Sequence, residues 1–527
     1  MPETRTLRLS PAVLWPLVCA SMVLVLFMAI IIGRLIGGSL TVEDDAYYYL
    51  KIARNIATSG VSTFDQQSLT NGYHPLWLLV LVVQDLTVGP SILVTLSLEA
   101  MLFAAAAFLF LRAAPDAPPL LQAGFTLCFA GLMGHFGLDG MEVALLAFCL
   151  ALFVNAIDWA GDGDDRRGLV VGLAAAACVG ARIDSAFFIA PALAAAPLSR
   201  RGRAAAFAAL GVLGAAYAAF NLSTFGMIMP VSSAIKSLGG VQINDRVVAQ
   251  LGLGSDPRSH VALYWLTAVL LMASPGLVWL SRPGSKARAL ALAASLGGLA
   301  YLLKIVLLSS WMIWPWYNFA VLFPMIAALY AAGPRLATLA AWADDRLGGE
   351  RAGRAALVAS IAVLAVVGVS AALVVVRPPK AGNSFASINH LALERYGARL
   401  GGARVAMGDR AGSFAMEYPG PVVQLEGLVN DKAYLAALTR GADMRGLLCH
   451  RAVRFVIAYE RDLGAYDHLQ FAVLRPFLTR FRAPGLDVWR ADEVGHVTDL
   501  GLYDNRRDHE PGDNTLYIWR LRCAGSG

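Results

Sequence analysis

Long apolar stretches fill most of the first 376 residues, each separated from the next by a short polar break. They run roughly 12–36, 90–111, 119–137, 141–160, 168–182, 183–198, 204–225, 261–280, 289–309, 312–333 and 355–376. Most approach the roughly 20 residues that carry a helix across a bilayer. The run 168–198 is apolar apart from Arg182-Ile183-Asp184, which predicts a turn between two short helices. Tyr73–Val88 is also apolar, but it is short for a span and Gly89-Pro90 closes it. Were it to cross, every later loop would change sides. The bias of Lys and Arg toward cytoplasmic loops decides the matter. With 73–88 lying in the interface, the basic breaks Arg112–Pro118, Gly161–Arg167, Ser199–Arg203, Ser281–Arg288 and Gly333–Arg354 share one side. The N-terminus then faces the cytoplasm. Outer loops fall at 37–72 and 226–260.

From about residue 377 the periodicity changes. Apolar runs shorten to strand length, as in Val405–Met407, Val422–Leu425, Phe455–Tyr459 and Leu516–Trp519, between charged and loop-rich stretches. The pattern therefore predicts an all-α polytopic membrane protein of about eleven transmembrane helices, residues 1–376. A C-terminal extracytoplasmic domain of α/β or α+β type, residues 377–527, follows.

Composition agrees with this picture. The chain is 57% hydrophobic and 15% charged, with a mean hydropathy of +0.59; soluble domains carry about 25% charge. The net charge of +6 comes from short basic loops, an orientation signal. With no glycine-rich phosphate loop and no basic–aromatic stripe, a nucleic-acid partner is not expected. Cys19, Cys128, Cys149 and Cys178 lie in apolar spans and read as packing residues. Cys449 and Cys523 could pair in an oxidising compartment, but two free thiols are the simpler expectation.

The chemistry gathers in the outer loops. Directly after the first span comes Thr41-Val-Glu43-Asp44-Asp45-Ala-Tyr-Tyr48-Tyr-Leu-Lys51, continuing to Asn55. Thr41 can cap a helix whose first turn holds the acids. A helix N-terminus keeps carboxylates ionised, as a general base must be. Asp44, Tyr48, Lys51 and Asn55 share one face, whereas Asp44 and Asp45, being adjacent, point apart. At other outer helix ends lie Asn71-Gly72-Tyr73-His74-Pro75, Asp139-Gly140-Met141-Glu142, Arg182-Ile183-Asp184, Pro230–Lys236 and Trp311–Asn318, which includes Trp316 and Tyr317. Each has a bland reading: helix-start acids, an ion pair, a snorkelling lysine, an interfacial tryptophan belt. Together they read as a site. Acids that accept a proton, cations that hold an anion and aromatics at membrane depth suit a lipid-phosphate sugar.

At these residues the chain resembles the GT-C glycosyltransferases, polytopic enzymes that use polyprenyl-phosphate sugars. The resemblance is carried by Asp44-Asp45-Ala-Tyr-Tyr-Tyr-Leu and Asn71-Gly-Tyr-His-Pro-Leu-Trp77. Gly140-Met-Glu142, Ala181-Arg-Ile-Asp184 and Trp316-Tyr317 extend it. Gly408-Asp-Arg-Ala-Gly412 and Val422–Leu428 resemble the outer domain of bacterial arabinofuranosyl- and mannosyltransferase-like members. The resemblance implies an inverting glycosyltransferase in the bacterial inner membrane, with a polyprenyl-phosphate sugar as donor and a glycan, lipid or protein hydroxyl as acceptor. Asp44 and Asp45 map onto the family's acidic pair, one as general base. Tyr48, Lys51, His74, Glu142, Arg182, Asp184, Lys236, Trp316 and Tyr317 are the expected substrate contacts, with Arg182, Lys236 and His74 on the phosphate. No cofactor is required, although the acids leave room for a divalent metal.

Two other classes fit less well. A transporter or flippase of lipid-linked sugars calls for polar groups along a mid-membrane path; Lys304, Gln84 and Asp85 are the residues that favour it. A membrane-anchored scaffold would leave so many spans unexplained.

Overall fold

A computed structural model describes residues 11–527 except 39, 160–164, 239, 249, 251–260, 310, 348, 377–383, 409, 441, 443, 460–492, 499–514 and 524–527. The expected domain boundary at 376/377, the end of the 226–260 loop and Asp409 fall outside the described residues.

The apolar pattern is helical throughout. The chain begins with α1 (Pro11–Ile36), α2 (Asp44–Ser59), α3 (Pro75–Val88), α4 (Ile92–Arg112) and α5 (Pro119–Phe136). Then come α6 (Val143–Trp159), α7 (Asp165–Ala181), α8 (Ala186–Ala195), α9 (Arg200–Phe225), α10 (Val231–Lys236) and α11 (Asp245–Val248). The series closes with α12 (Val261–Leu280), α13 (Lys286–Leu292), α14 (Gly298–Leu307), α15 (Leu322–Leu347) and α16 (Gly349–Val376). Among the described residues, six helical stretches are long and apolar enough to cross a membrane, and four further apolar helices are shorter. The chain is a multi-pass membrane protein. The expected crossings fall on helices, and Arg182–Asp184 becomes the junction of α7 with a single 3₁₀ turn, Ile183–Ser185. Helix α3 has 14 residues, about 21 Å at 1.5 Å per residue, against a hydrocarbon core of about 30 Å.

Local chemistry sets the ends of these helices. Pro75 opens α3 at a position where no N–H is needed. The Ser91 and Ser199 side chains cap α4 and α9 by accepting from Val94 and Gly202 N–H. Helix α2 starts later than expected. Its cap position is Glu43, whose side chain makes no capping bond, so Thr41 lies outside the helix. Gly60, at φ +71°, ends it. Small residues let α7 and α9 pack closely: a Cβ on Gly168 would sit 2.1 Å from the Gly202 carbonyl oxygen, and one on Gly172 2.5 Å from that of Ala206.

The C-terminal part holds α17 (Ser384–Leu400), β1 (Val405–Met407), α18 (Ala411–Glu417), β2 (Val422–Gln424), α19 (Lys432–Thr439), α20 (Met444–His450), β3 (Phe455–Tyr459), β4 (Glu493–Val497) and β5 (Leu516–Arg520). Its sheet has the order β2-β1-β3-β5-β4. Strand β1 runs parallel to β2 and β3, and β5 is antiparallel to β3 and β4. The parallel strands β1, β2 and β3 are buried at every position, as strands covered on both faces must be. The four strand-like runs of the sequence are β1, β2, β3 and β5; β4 was not visible because Glu493, Gly495 and His496 interrupt its apolar run and most of it is partly exposed.

Cys449 and Cys523 form a disulfide, which corrects the expectation of free thiols. The pairing was hidden because 74 residues of sequence separate two cysteines that the antiparallel return of β5 brings together. Disulfides persist in oxidising compartments. We expect peptide mapping without reductant to recover Cys449 joined to Cys523. Cys449→Ser in the full chain should destabilise the C-terminal domain by about 2–4 kcal/mol. The check is an earlier loss of protection against protease in that domain, with the membrane helices unaffected.

Candidate active site

The turn Leu138–Glu142 brings α2 and α3 together. Glu43 N–H donates to the Asp139 carbonyl at 3.1 Å, and Trp77 Nε1 donates to the Gly140 carbonyl at 3.1 Å. Gly140, at φ +87°, lies against α2, where a Cβ would come within 2.8 Å of Ala46 Cβ. Glu142 is thereby driven fully into the interior.

Glu142 meets Arg182 at the end of α7 in a close ion pair, with 0% and 2% of the two side chains exposed. The Arg182 guanidinium also lies 3.8 Å from Asp184 and packs over the rings of Tyr317 and Phe319, at 5.0 and 4.5 Å from their centroids. Lys304 on α14 closes the chain of charges at 3.0 Å from Asp184. Two lone ions here would be prohibitively costly, and alternating signs with aromatic cover reduce that cost.

His74 belongs to the same network. Its Nδ1 lies 3.2 Å from the Ile183 N–H, which can only donate, so that nitrogen must carry a lone pair. Nε2 faces Glu142 at 3.6 Å. Burial lowers the ring's pKa to about 4, against the pull of Glu142, and His74 is neutral at physiological pH. His74 thus faces the cavity as a neutral ring beside Glu142. Tyr49 completes the arrangement: its hydroxyl accepts from the His74 N–H at 3.0 Å and lies 3.5 Å from Glu142.

Lys236, the last residue of α10, donates to the Tyr317 hydroxyl at 2.8 Å. Its ammonium lies 5.9 and 5.5 Å from the ring centroids of Trp311 and Tyr317. Burial alone would depress its pKa; Tyr317 and the negative charge of Asp45 outweigh burial and raise it. Trp316 stacks on Trp314 at 5.6 Å.

These groups surround one cavity of about 350 Å³. Asp45, Tyr48, His74, Glu142, Arg182, Asp184, Lys236, Trp316 and Tyr317 all line it. Two expected residues do not. Lys51 is buried on α2 outside the lining, where burial and then Arg54 lower its pKa to about 8. Asp44 is buried as well and turns toward the C-terminal domain. Asp139 is likewise absent from the lining, and its Oδ1 accepts from Met141 N–H at 3.0 Å.

Tyr49, Trp311 and Leu428 fell within the sequence motifs without a substrate role, and Val429 carried no signal; all four also line the cavity. Lys304 had a signal, a lysine inside an apolar run, but it pointed to a mid-membrane path. Instead it joins the cavity, and Gln84 bonds Ser91 and Thr95 at 3.1 and 3.0 Å, tying α3 to α4. Among the described residues, no three His, Cys, Asp or Glu side chains cluster so as to hold a metal ion.

No family model and no curated protein matches the chain. Among solved structures it is similar to ArnT from Cupriavidus metallidurans bound to undecaprenyl phosphate, with 11% identity and a TM-score of 0.46 over 95% of this chain and 97% of ArnT. It is also similar to the arabinofuranosyltransferase AftD from Mycobacteria, with 13% identity and a TM-score of 0.44 over 98% of this chain and 40% of AftD.

Glu142→Gln should cost on the order of 3–5 kcal/mol, because it leaves Arg182 buried without its counter-charge. A lower thermal midpoint in detergent checks this, and Lys304→Met, at a partly exposed position, should shift the midpoint less. His74 gives a pH signature. Its pKa lies near 4 when folded and near 6.5 when unfolded, so the unfolded chain binds the extra proton between these values. The stability His74 confers is complete above pH 6.5 and is lost as pH falls toward 4. His74→Asn should flatten that part of the stability profile.

Proposed function

We propose that the protein is an inverting glycosyltransferase of the GT-C type. It moves a sugar from a polyprenyl phosphate to a hydroxyl of a glycan, lipid or protein at the outer face of a bacterial inner membrane. One observation carries this reading: Asp45 and Lys236 share a single cavity with aromatic walls and a buried Arg182, at the junction of the membrane helices with the C-terminal domain. A carboxylate and cations in one cavity are what displacement of a lipid phosphate by a hydroxyl requires.

Asp45 accepts the acceptor's hydroxyl proton. The acceptor oxygen bonds to the anomeric carbon as the bond from that carbon to the phosphate oxygen breaks. Polyprenyl phosphate departs with the electron pair, and a single displacement inverts the anomeric centre. Lys236 and Arg182 stabilise the charge that grows on the leaving phosphate. Asp184 and Glu142 hold these cations in place, and Trp316 and Tyr317 offer faces to the sugar. Glu142 and Asp184 are engaged with Arg182 and Lys304, and the cations of this scheme are side chains.

Purified protein supplied with radiolabelled polyprenyl-phosphate arabinofuranose, mannose or glucose and an envelope glycan extract tests the proposal. Asp45→Asn should lower turnover by about 10²–10⁴-fold, the range for loss of a general base, while still binding donor. Lys236→Met should weaken donor binding as well. Transfer that is undiminished in Asp45→Asn would remove Asp45 as the base, and no transfer from any donor by wild type would overturn the reading.

A further inference from the structure

Asp44 reaches across to the C-terminal domain. Its Oδ2 accepts from Gly412 N–H at 2.8 Å, and its Oδ1 accepts from the Ser413 N–H and hydroxyl at 3.0 and 3.1 Å. The fit leaves no slack: a Cβ on Gly412 would meet the Asp44 carbonyl oxygen at 2.4 Å and its carboxylate at 3.0 Å. Helix α18, which this contact seats, packs on α2.

The same domain closes the cavity. Leu428 and Val429 belong to its lining, and their loop is wedged on both flanks. A Cβ on Gly72 would lie 2.0 Å from the Leu428 carbonyl oxygen. Gly427, at φ +87°, faces Ile235, the neighbour of Lys236, where a Cβ would come within 2.9 Å of Ile235 Cδ1. Lys432 Nζ donates to the Gly226 carbonyl at 2.8 Å, and Arg451 donates to Ser68 Oγ at 3.1 Å. The cations suited to a lipid phosphate all come from the membrane half. The wall from the C-terminal domain therefore faces the other substrate.

We propose that Asp44 is a positioning residue, a latch that seats the C-terminal domain so that Leu428 and Val429 form the acceptor side of the cavity. The acceptor assignment rests on the glycosyltransferase reading; the latch itself does not. The test compares full-length wild type, Asp44→Asn, Gly412→Ala and Asp45→Asn in detergent by amide hydrogen exchange and, where transfer is measurable, by kinetics. Asp44→Asn removes the charge from one side of the contact, and Gly412→Ala wedges it from the other. Both should speed exchange in α18 and in the Leu428–Val429 loop by about tenfold or more, the scale for weakened hydrogen bonds to a charged group. Both should raise the acceptor KM while turnover at saturating acceptor stays within about threefold, as expected when binding rather than chemistry is lost. Asp45→Asn should leave exchange unchanged. If Asp44→Asn abolishes turnover with exchange unaltered, Asp44 acts in the chemistry and the latch is wrong. Unchanged exchange in Gly412→Ala would likewise overturn it. If wild type transfers no sugar, the exchange data still decide the latch while the glycosyltransferase reading fails separately.

Discussion

The buried pairing of Glu142 with Arg182 is the constraint around which the rest of the site is arranged. Both ions are almost fully buried, so each neighbour must help to offset the loss of hydration. His74 and Tyr49 face the carboxylate; Asp184, Tyr317 and Phe319 surround the guanidinium; Lys304 balances Asp184. These residues come from α2, the cap of α3, the turn before α6, the turn after α7, α14 and the segment before α15. One electrostatic requirement thus fixes the relative placement of helices that are far apart in sequence. The neutral state of His74 follows from its burial, which outweighs the pull of Glu142.

Two adjacent carboxylates serve two ends because consecutive helical residues are turned by about 100°. Asp45 faces the cavity and Asp44 faces the C-terminal domain. A pair that reads as a single acidic motif is split by the geometry of α2. Docking and chemistry then depend on the same short helix, and a shift of the C-terminal domain is felt one residue away from the proposed base.

Much of the architecture was legible in the chain. Apolar runs such as Ile92–Arg112 and Lys286–Leu307 announce helices because an unsatisfied backbone is too costly in a bilayer. The strands β1, β2 and β3 were legible because a strand buried on both faces must be continuously apolar. The polar residues at the helix ends were legible as one group, and most of them line one cavity. What stayed hidden was long-range. The Cys449–Cys523 bond, the exposed strand β4 and the entry of Leu428 and Val429 into the cavity depend on how the C-terminal domain folds back, and periodicity does not encode that.

The sequence by itself determined the membrane class, the helical segments, the strand-length apolar runs of the C-terminal part and the set of residue types available for chemistry. These follow from local composition and from the energetic cost of polar groups in hydrocarbon. Only the tertiary structure decided which acid enters the cavity, that His74 is a neutral ring, and that Lys304 belongs to the site. Those outcomes turn on distances of a few ångströms between residues that are a hundred or more apart in sequence, as between Lys304 and Asp184 or between Gly412 and Asp44. A charge's partner, and therefore its role, is set by that proximity.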